Sequence, residues 1–370
     1  MRLGLLLVLL LTGCSQPQMY ERENPPERLS AWQVVMIEDG QLVPRDRVVP
    51  YDLNMALFTD NAHKFRTVYV PQGQQATYQA EDALDFPVGS IVSKTFYYPK
   101  DENGQLGYHT DYSDDFGSKG LNLQRVKLIE TRILVRHAEG WQALPYVWNN
   151  AQTEATLEWA GDIKPLALTD KAGNQVAFSY VVPDANQCAG CHAPNHTDGA
   201  LKPIGVKARH INKAYPFLGG QDNQLVHWQQ AGMLSDLPQD LALVPRNARF
   251  DSEDSLEHKA RSYLDINCGH CHNPSGAADT SGLWLHQGQQ DQRRLGRCKP
   301  PVAAGRGAGH GRFSIMPGEA DKSIISYRMA STDPGEMMPE LGRGTVDRDG
   351  LALINAWINA MPGDCSTPGH

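Results

Sequence analysis

Residues Asp251 to Gly276 read DSEDSLEHKARSYLDINCGHCHNPSG, and this stretch decides how the C-terminal third is read. Asp251, Glu253 and Asp254 stand where a first helical turn favours negative charge, and Leu256, Ala260, Tyr263, Leu264 and Cys268 recur at helical spacing. The pattern predicts one helix running from Asp251 into Cys268-Gly269-His270-Cys271-His272, stopped after His272 by Asn273-Pro274-Ser275-Gly276. Further helices are expected over Ala320 to Met329 and Asp347 to Met361, the second with Leu351, Ile354, Trp357, Ile358 and Met361 at helical spacing before Pro362-Gly363.

The five residues from Cys268 to His272 have a counterpart in Cys188-Ala189-Gly190-Cys191-His192. Both match C-x-x-C-H, the attachment sequence for c-type haem. Cysteines three apart on a helical turn face the same way and can each form a thioether with a haem vinyl group, while the adjacent histidine rises to the iron. Cys188, Cys191, Cys268 and Cys271 are therefore read as covalent attachment points for two haem c groups, with His192 and His272 as axial ligands. A zinc site built from two C-x-x-C pairs and a thioredoxin-like disulfide are the rival readings, and both must explain a histidine directly after each pair.

The chain's other end carries an address. Met1 and Arg2 precede an apolar run from Leu3 to Leu11 and then Thr12-Gly13-Cys14-Ser15, a secretory signal over residues 1–13 that is too short to span a bilayer. Its ending resembles a bacterial lipoprotein box, which implies lipid on Cys14 and membrane contact through that lipid alone. Residues 14–28 then form a tether, and Ser15 resembles the outer-membrane sorting rule. In the oxidising compartment this implies, Cys298 and Cys365 are read as a disulfide, two separate thiols being the alternative.

Between these ends the 370 residues, 41% of them apolar, have the composition of an ordinary globular chain, and their number suggests two or three domains. A net charge of −8 gives no basis for gripping phosphate backbones, so no nucleic-acid partner is expected. Residues 29–183 are read as a β-rich domain, with extended runs at Gln33 to Ile37, Phe65 to Val70, Ser90 to Tyr98, Arg125 to His137, Trp141 to Trp148 and Gln175 to Val182. Asp60 and His63 within it are read as ordinary surface. Residues 184–250 form a first haem-binding segment and 251–370 a cytochrome domain. For the first iron, His227 or Met233 on a helix over Asn223 to Leu234 is a candidate sixth ligand; if neither binds, the iron is open or ligated from another domain.

A helix carrying C-x-x-C-H, intervening loops and a closing amphipathic helix resemble the class I cytochrome c fold. That resemblance implies a methionine ligand from the loop before the last helix, here Met338 of Met338-Pro339, with Met337 and Met316 as rivals. The fold class expected is multidomain α+β, an antiparallel β-rich N-terminal domain followed by a mostly helical, class I cytochrome c-like C-terminal domain. Phe86-Pro87-Val88-Gly89, Ile129-Glu130-Thr131-Arg132, Tyr146-Val147-Trp148, the stretch Val182 to Cys188, Lys299 to Gly305 and Met338 to Gly342 together resemble a family of bacterial diheme c-type cytochrome lipoproteins. The resemblance implies an exported, lipid-anchored electron carrier facing the periplasm at the outer membrane, working with redox partner proteins, among them a β-helix protein. The alternative is a haem enzyme, peroxidase-like at an open first iron or the electron-transfer subunit of a dehydrogenase.

Overall fold

Alternation of outward and inward side chains organises the first half of the chain around one sheet. The computed structural model describes residues 16–108, 115–170, 173–217, 219–302 and 304–365; the signal segment 1–13 and Cys14 lie outside the described residues. In chain order the strands are β1 (Val35–Glu38), β2 (Gln41–Pro44), β3 (Val48–Tyr51), β4 (His63–Tyr69), β5 (Ala76–Thr77) and β6 (Ile91–Pro99). Then follow β7 (Leu121–Asn122), β8 (Val126–His137), β9 (Gly140–Trp148), β10 (Ala155–Leu157), β11 (Asp162–Thr169) and β12 (Gln175–Val182). Each of the six runs read as extended overlaps one of these strands, the first beginning late, at Val35, because Gln33 closes a 3-10 turn at φ +52°.

Six strands pair antiparallel in the order β10-β9-β8-β6-β4-β3, and β1-β2-β7 form a second sheet. Because successive side chains alternate, Phe65, Ile91, Ile133 and Tyr146 share one face of the large sheet. They pack in a single cluster with Trp32, Val35, Leu42 and Leu121, so the small sheet and the chain before it cover that face. Val68, Val92 and Leu134 point the other way and join a core with Trp228, Leu264, Ile354 and Trp357. The chain's second half is thus seated on the opposite face of the same sheet.

That second half contributes α1 (Gln187–His192), α2 (Ala208–Ile211), the hairpin β13 (Ala214–Phe217) and β14 (Gly220–Asn223), α3 (Gln224–Gln230) and β15 (Leu234–Ser235). Three helices follow: α4 (Leu256–Asn267), α5 (Ile324–Ala330) and α6 (Arg348–Asn359). Gly350 lets α6 approach α4, since a Cβ there would lie 2.4 Å from the Tyr263 ring, and Tyr263 Oη donates to Asp347 Oδ2 at 2.8 Å.

This corrects the expected fold class. Among the described residues the chain is β-rich with six α-helices, and the region from Asp251 is not a mostly helical, class I cytochrome c-like domain. Its helices hold 12, 7 and 12 residues, and the long stretch between α4 and α5 is turns and short 3-10 segments. Glycine and proline there favour turns over helix: Gly276 would place a Cβ 2.2 Å from the Cys271 carbonyl oxygen, and Gly296 has φ +109°. The helix predicted from Asp251 starts later because Ser255 Oγ accepts from His258 N, while Asp251 and Asp254 pair with Arg249 and Arg246. It also ends earlier, at Asn267, so the second C-x-x-C-H lies beyond it.

Two residues read as surface are buried. Asp60, 3% exposed at φ +47°, accepts from Gly344 N, Thr345 N and Thr345 Oγ1 at 2.7–2.8 Å, tying the loop before β4 to the segment leading into α6. His63 Nδ1 sits 2.9 Å from Asp115 Oδ2 inside the protein.

Candidate functional site

The first C-x-x-C-H begins where β12 ends. Asp184 Oδ1 accepts from Asn186 N and Gln187 N, each at 2.8 Å, and so starts the single helical turn that carries Cys188 and Cys191 three residues apart. His192 is clasped from both sides by one residue. Lys202 N donates to the His192 carbonyl at 2.7 Å, and the His192 ring places Nδ1 2.8 Å from the Lys202 carbonyl. A carbonyl only accepts, so Nδ1 carries the proton and Nε2 is left with its lone pair free.

The second motif is a set of tight turns after α4. Cys268 N and Gly269 N both donate to the Leu264 carbonyl at 2.9 Å, and His272 N donates to the Cys268 carbonyl at 2.8 Å. Only glycine fits at 269, because a Cβ would meet the Asp265 carbonyl at 2.8 Å. Ser281 Oγ donates to the Ala278 carbonyl at 2.6 Å, so its lone pairs face His272 Nδ1 at 3.3 Å. Both motif histidines are therefore engaged through Nδ1, an arrangement that fixes ring orientation at a metal ligand.

The two motifs touch. Cys271 Sγ donates to the Gly190 carbonyl at 3.3 Å, and His196 contacts the Ser275 carbonyl at 2.9 Å through both its backbone N and Nδ1. The Met338 loop lies against both: Leu341 fills the space beside Gly190, where a Cβ would come within 2.8 Å, and the charge of Glu340 acts on Cys271. Within that loop Met338 N donates to the Arg328 carbonyl at 3.0 Å and its own carbonyl accepts from Arg343 Nη2 at 2.9 Å. Met337 is buried, and Met316 N donates to Ser323 Oγ. His227 and Met233 engage other parts: His227 stacks on Phe217 with ring centroids 3.6 Å apart, and Met233 is buried in the core cluster.

All four motif cysteines are free thiols, whereas Cys298 and Cys365 form a disulfide that joins the turn region to the chain end after α6. Burial pushes the Cys268 and Cys271 thiols up to about 12 and raises Cys188 and Cys191 as well. Nucleophilic cysteines act as thiolates, so these surroundings do not favour a nucleophilic role. Among the described residues no three His, Cys, Asp or Glu side chains converge to hold a metal ion by themselves. A porphyrin brings four nitrogen ligands of its own and asks the protein only for axial ones. Burial, with the Lys94 charge next, pushes the His192 imidazole down to about 3, and burial, with Arg328 next, pushes His272 to about 4; both are neutral, as an iron ligand requires.

Three features near the motifs were passed over in the sequence. Asp265, one turn before Cys268, accepts from Arg209 Nε and Nη2 at 2.7 and 3.0 Å, from Asn247 Nδ2 at 3.1 Å and from Gln287 N at 3.0 Å, and His210 Nε2 lies 3.2 Å away. His270, inside the second motif, is pushed down to about 4 by burial, then by Lys207 and His272. The large sheet carries a row of cations, Arg66, Lys94 and Arg132, directly paired across β4, β6 and β8. Residue type marks such groups as candidates, but only the strand register and the packing of distant segments bring them to the motifs.

No family model, no curated protein and no solved structure matches this chain.

Proposed function

We propose that this chain is a diheme c-type cytochrome that relays electrons between redox partner proteins. Cys188 and Cys191 would hold one haem by thioethers and Cys268 and Cys271 the other, and His192 at the first motif and His272 with Met338 at the second would hold the iron. The observation that carries the reading is the contact between two complete C-x-x-C-H motifs, Cys271 Sγ against the Gly190 carbonyl, because a relay needs its two centres to be neighbours. The residues fit the group on two further counts. The four thiols are not oxidised to disulfides, and each histidine is held neutral with Nδ1 engaged.

When bound, haem supplies one-electron exchange between ferric and ferrous iron. The chain's part is to orient and to exclude water. The Lys202 clasp and Ser281 fix the two imidazoles, and the Asp265 network pins α4, from which the second motif departs, to α2 and to Asn247 and Gln287. In this reading the chain is exported and anchored through a lipid on Cys14 facing the periplasm, and a β-helix protein is among its partners.

The test is a spectroelectrochemical titration of protein made in a host with a c-type maturation system. Two one-electron steps, with no spectral response to cyanide at the Cys268 centre, are the expected result. Turnover of peroxide at the first centre would move the account to the peroxidase-like reading.

A further inference from the structure

The inner face of the large sheet carries more positive charge than it neutralises. Arg66 pairs with Lys94 and Lys94 with Arg132 across adjacent strands, so the three side chains stand in one row on one face, with Lys64 and Phe96 in the neighbouring row. Arg132 is satisfied by Glu130, with Nε 2.7 Å and Nη2 2.5 Å from its two carboxylate oxygens. Arg66 shares Asp52 with Lys213, at 3.0 and 2.8 Å. Lys64 Nζ donates to the Leu57 carbonyl at 2.8 Å. Lys94, in the centre, has no hydrogen bond or ion pair among the described residues; its ammonium lies 5.1 Å from the Phe96 ring centroid, and Arg132 lies 4.3 Å from the same ring.

Burial, then the Arg132 and Arg66 charges, push the Lys94 ammonium down to about 7 while Glu130 opposes them, so an anion joining the row would hold Lys94 charged. The row's neighbour is the first motif: Tyr180, on the strand β12 that leads into it, donates Oη at 2.6 Å to Glu130 Oε1, the carboxylate that also holds Arg132, and the Lys94 and Arg132 charges reach Cys188 and Cys191. A carboxylate suits the place chemically, since guanidinium and ammonium groups form charge-assisted hydrogen bonds to it.

We propose that Arg66, Lys94 and Arg132 form a carboxylate-binding row beside the first C-x-x-C-H, and that its occupant is a propionate of the haem attached there. The inference rests on the diheme reading and deepens it by assigning the sheet a role at the first centre. The same chemistry would accept a small soluble anion, and the experiment separates the two sources.

Lys94→Gln and Lys94→Arg are compared with the parent protein by haem count, by midpoint potential and by the propionate bending modes in resonance Raman spectra; Arg66→Gln serves as a second, independent removal of charge. The expected result is two haems in every variant, with shifted propionate modes in Lys94→Gln and Arg66→Gln. The ferric-to-ferrous ratio of one centre at fixed potential should also rise about tenfold, equivalent to about 59 mV for one electron, with both effects reversed in Lys94→Arg. Two haems with unmoved propionate modes overturn the proposal and leave the diheme reading intact. A saturable response of the parent's potential to inorganic phosphate, lost in Lys94→Gln, overturns it in favour of a soluble anion. One haem or none overturns the diheme reading and this proposal together.

Discussion

The two C-x-x-C-H motifs have the same five-residue spacing and opposite surroundings. The first sits on its own helical turn after β12 and faces a β-sheet whose nearest charges are Lys94 and Arg132. The second is a chain of turns after α4, packed in the helical core, and its histidine feels Arg328 while its cysteine feels Glu340. Identical spacing in unlike frames teaches that, on the proposed reading, the spacing would specify the bond to the cofactor, whereas the frame sets charge and rigidity. A relay gains direction when its two centres differ in potential, and the proposed reading obtains that difference from the frames.

The strongest way to break the comparison is to remove one motif. Replacing Cys268 and Cys271 together by Ala is expected to halve the haem content while the first centre keeps its spectrum, as read by pyridine haemochrome assay. Loss of both haems would mean that the two frames are not independent.

Asp265→Asn tests the rigidity of the second frame. Breaking this buried pair with Arg209 and His210 is expected to cost about 3–5 kcal/mol, measured by chemical denaturation. Burial opposes ionisation of Asp265, yet the hydrogen bonds and charges of His210 and Arg209 outweigh it and hold the carboxyl well below the usual range. An unfolded aspartate titrates near about 3.9, so this stabilisation is complete above that pH and is lost as pH falls toward the lower folded value. The variant's melting temperature should therefore depend less on pH below about 4 than the parent's.

Removing the disulfide by Cys298→Ser and Cys365→Ser is expected to cost about 2–5 kcal/mol by the same measurement, without changing haem content. Met338→Ala sharpens the difference in ligation. It should leave two haems attached and lower the potential of the second centre only; an unchanged potential would pass the role to Met337 or Met316. The smallest effect belongs to Ser255→Ala, which removes the cap of α4 and should lower stability by about 1 kcal/mol.

What the sequence disclosed followed the range over which its signals act. The strands were legible because alternation and turn residues are local, as in Phe65 to Val70 and Gln175 to Val182. The two C-x-x-C-H pentapeptides were legible because their spacing is local to five residues. The start of α4 was misplaced because Asp251 and Asp254 offered a helix-like charge pattern that Arg249 and Arg246 use instead, leaving Ser255 as the cap. The helical character of the last third was overestimated because three helices were extrapolated across turns that Gly276 and Gly296 require. Asp60 was illegible because its partners lie 284 and 285 residues away. The row Arg66, Lys94 and Arg132 was illegible for a related reason, since it exists only through the register of three strands.

The most direct test of the central claim is haem stoichiometry, by pyridine haemochrome assay together with intact mass, on protein exported from a host with a c-type maturation system. The account predicts two covalently bound haems per chain. A colourless chain whose mass shows four unmodified thiols at Cys188, Cys191, Cys268 and Cys271 would contradict it.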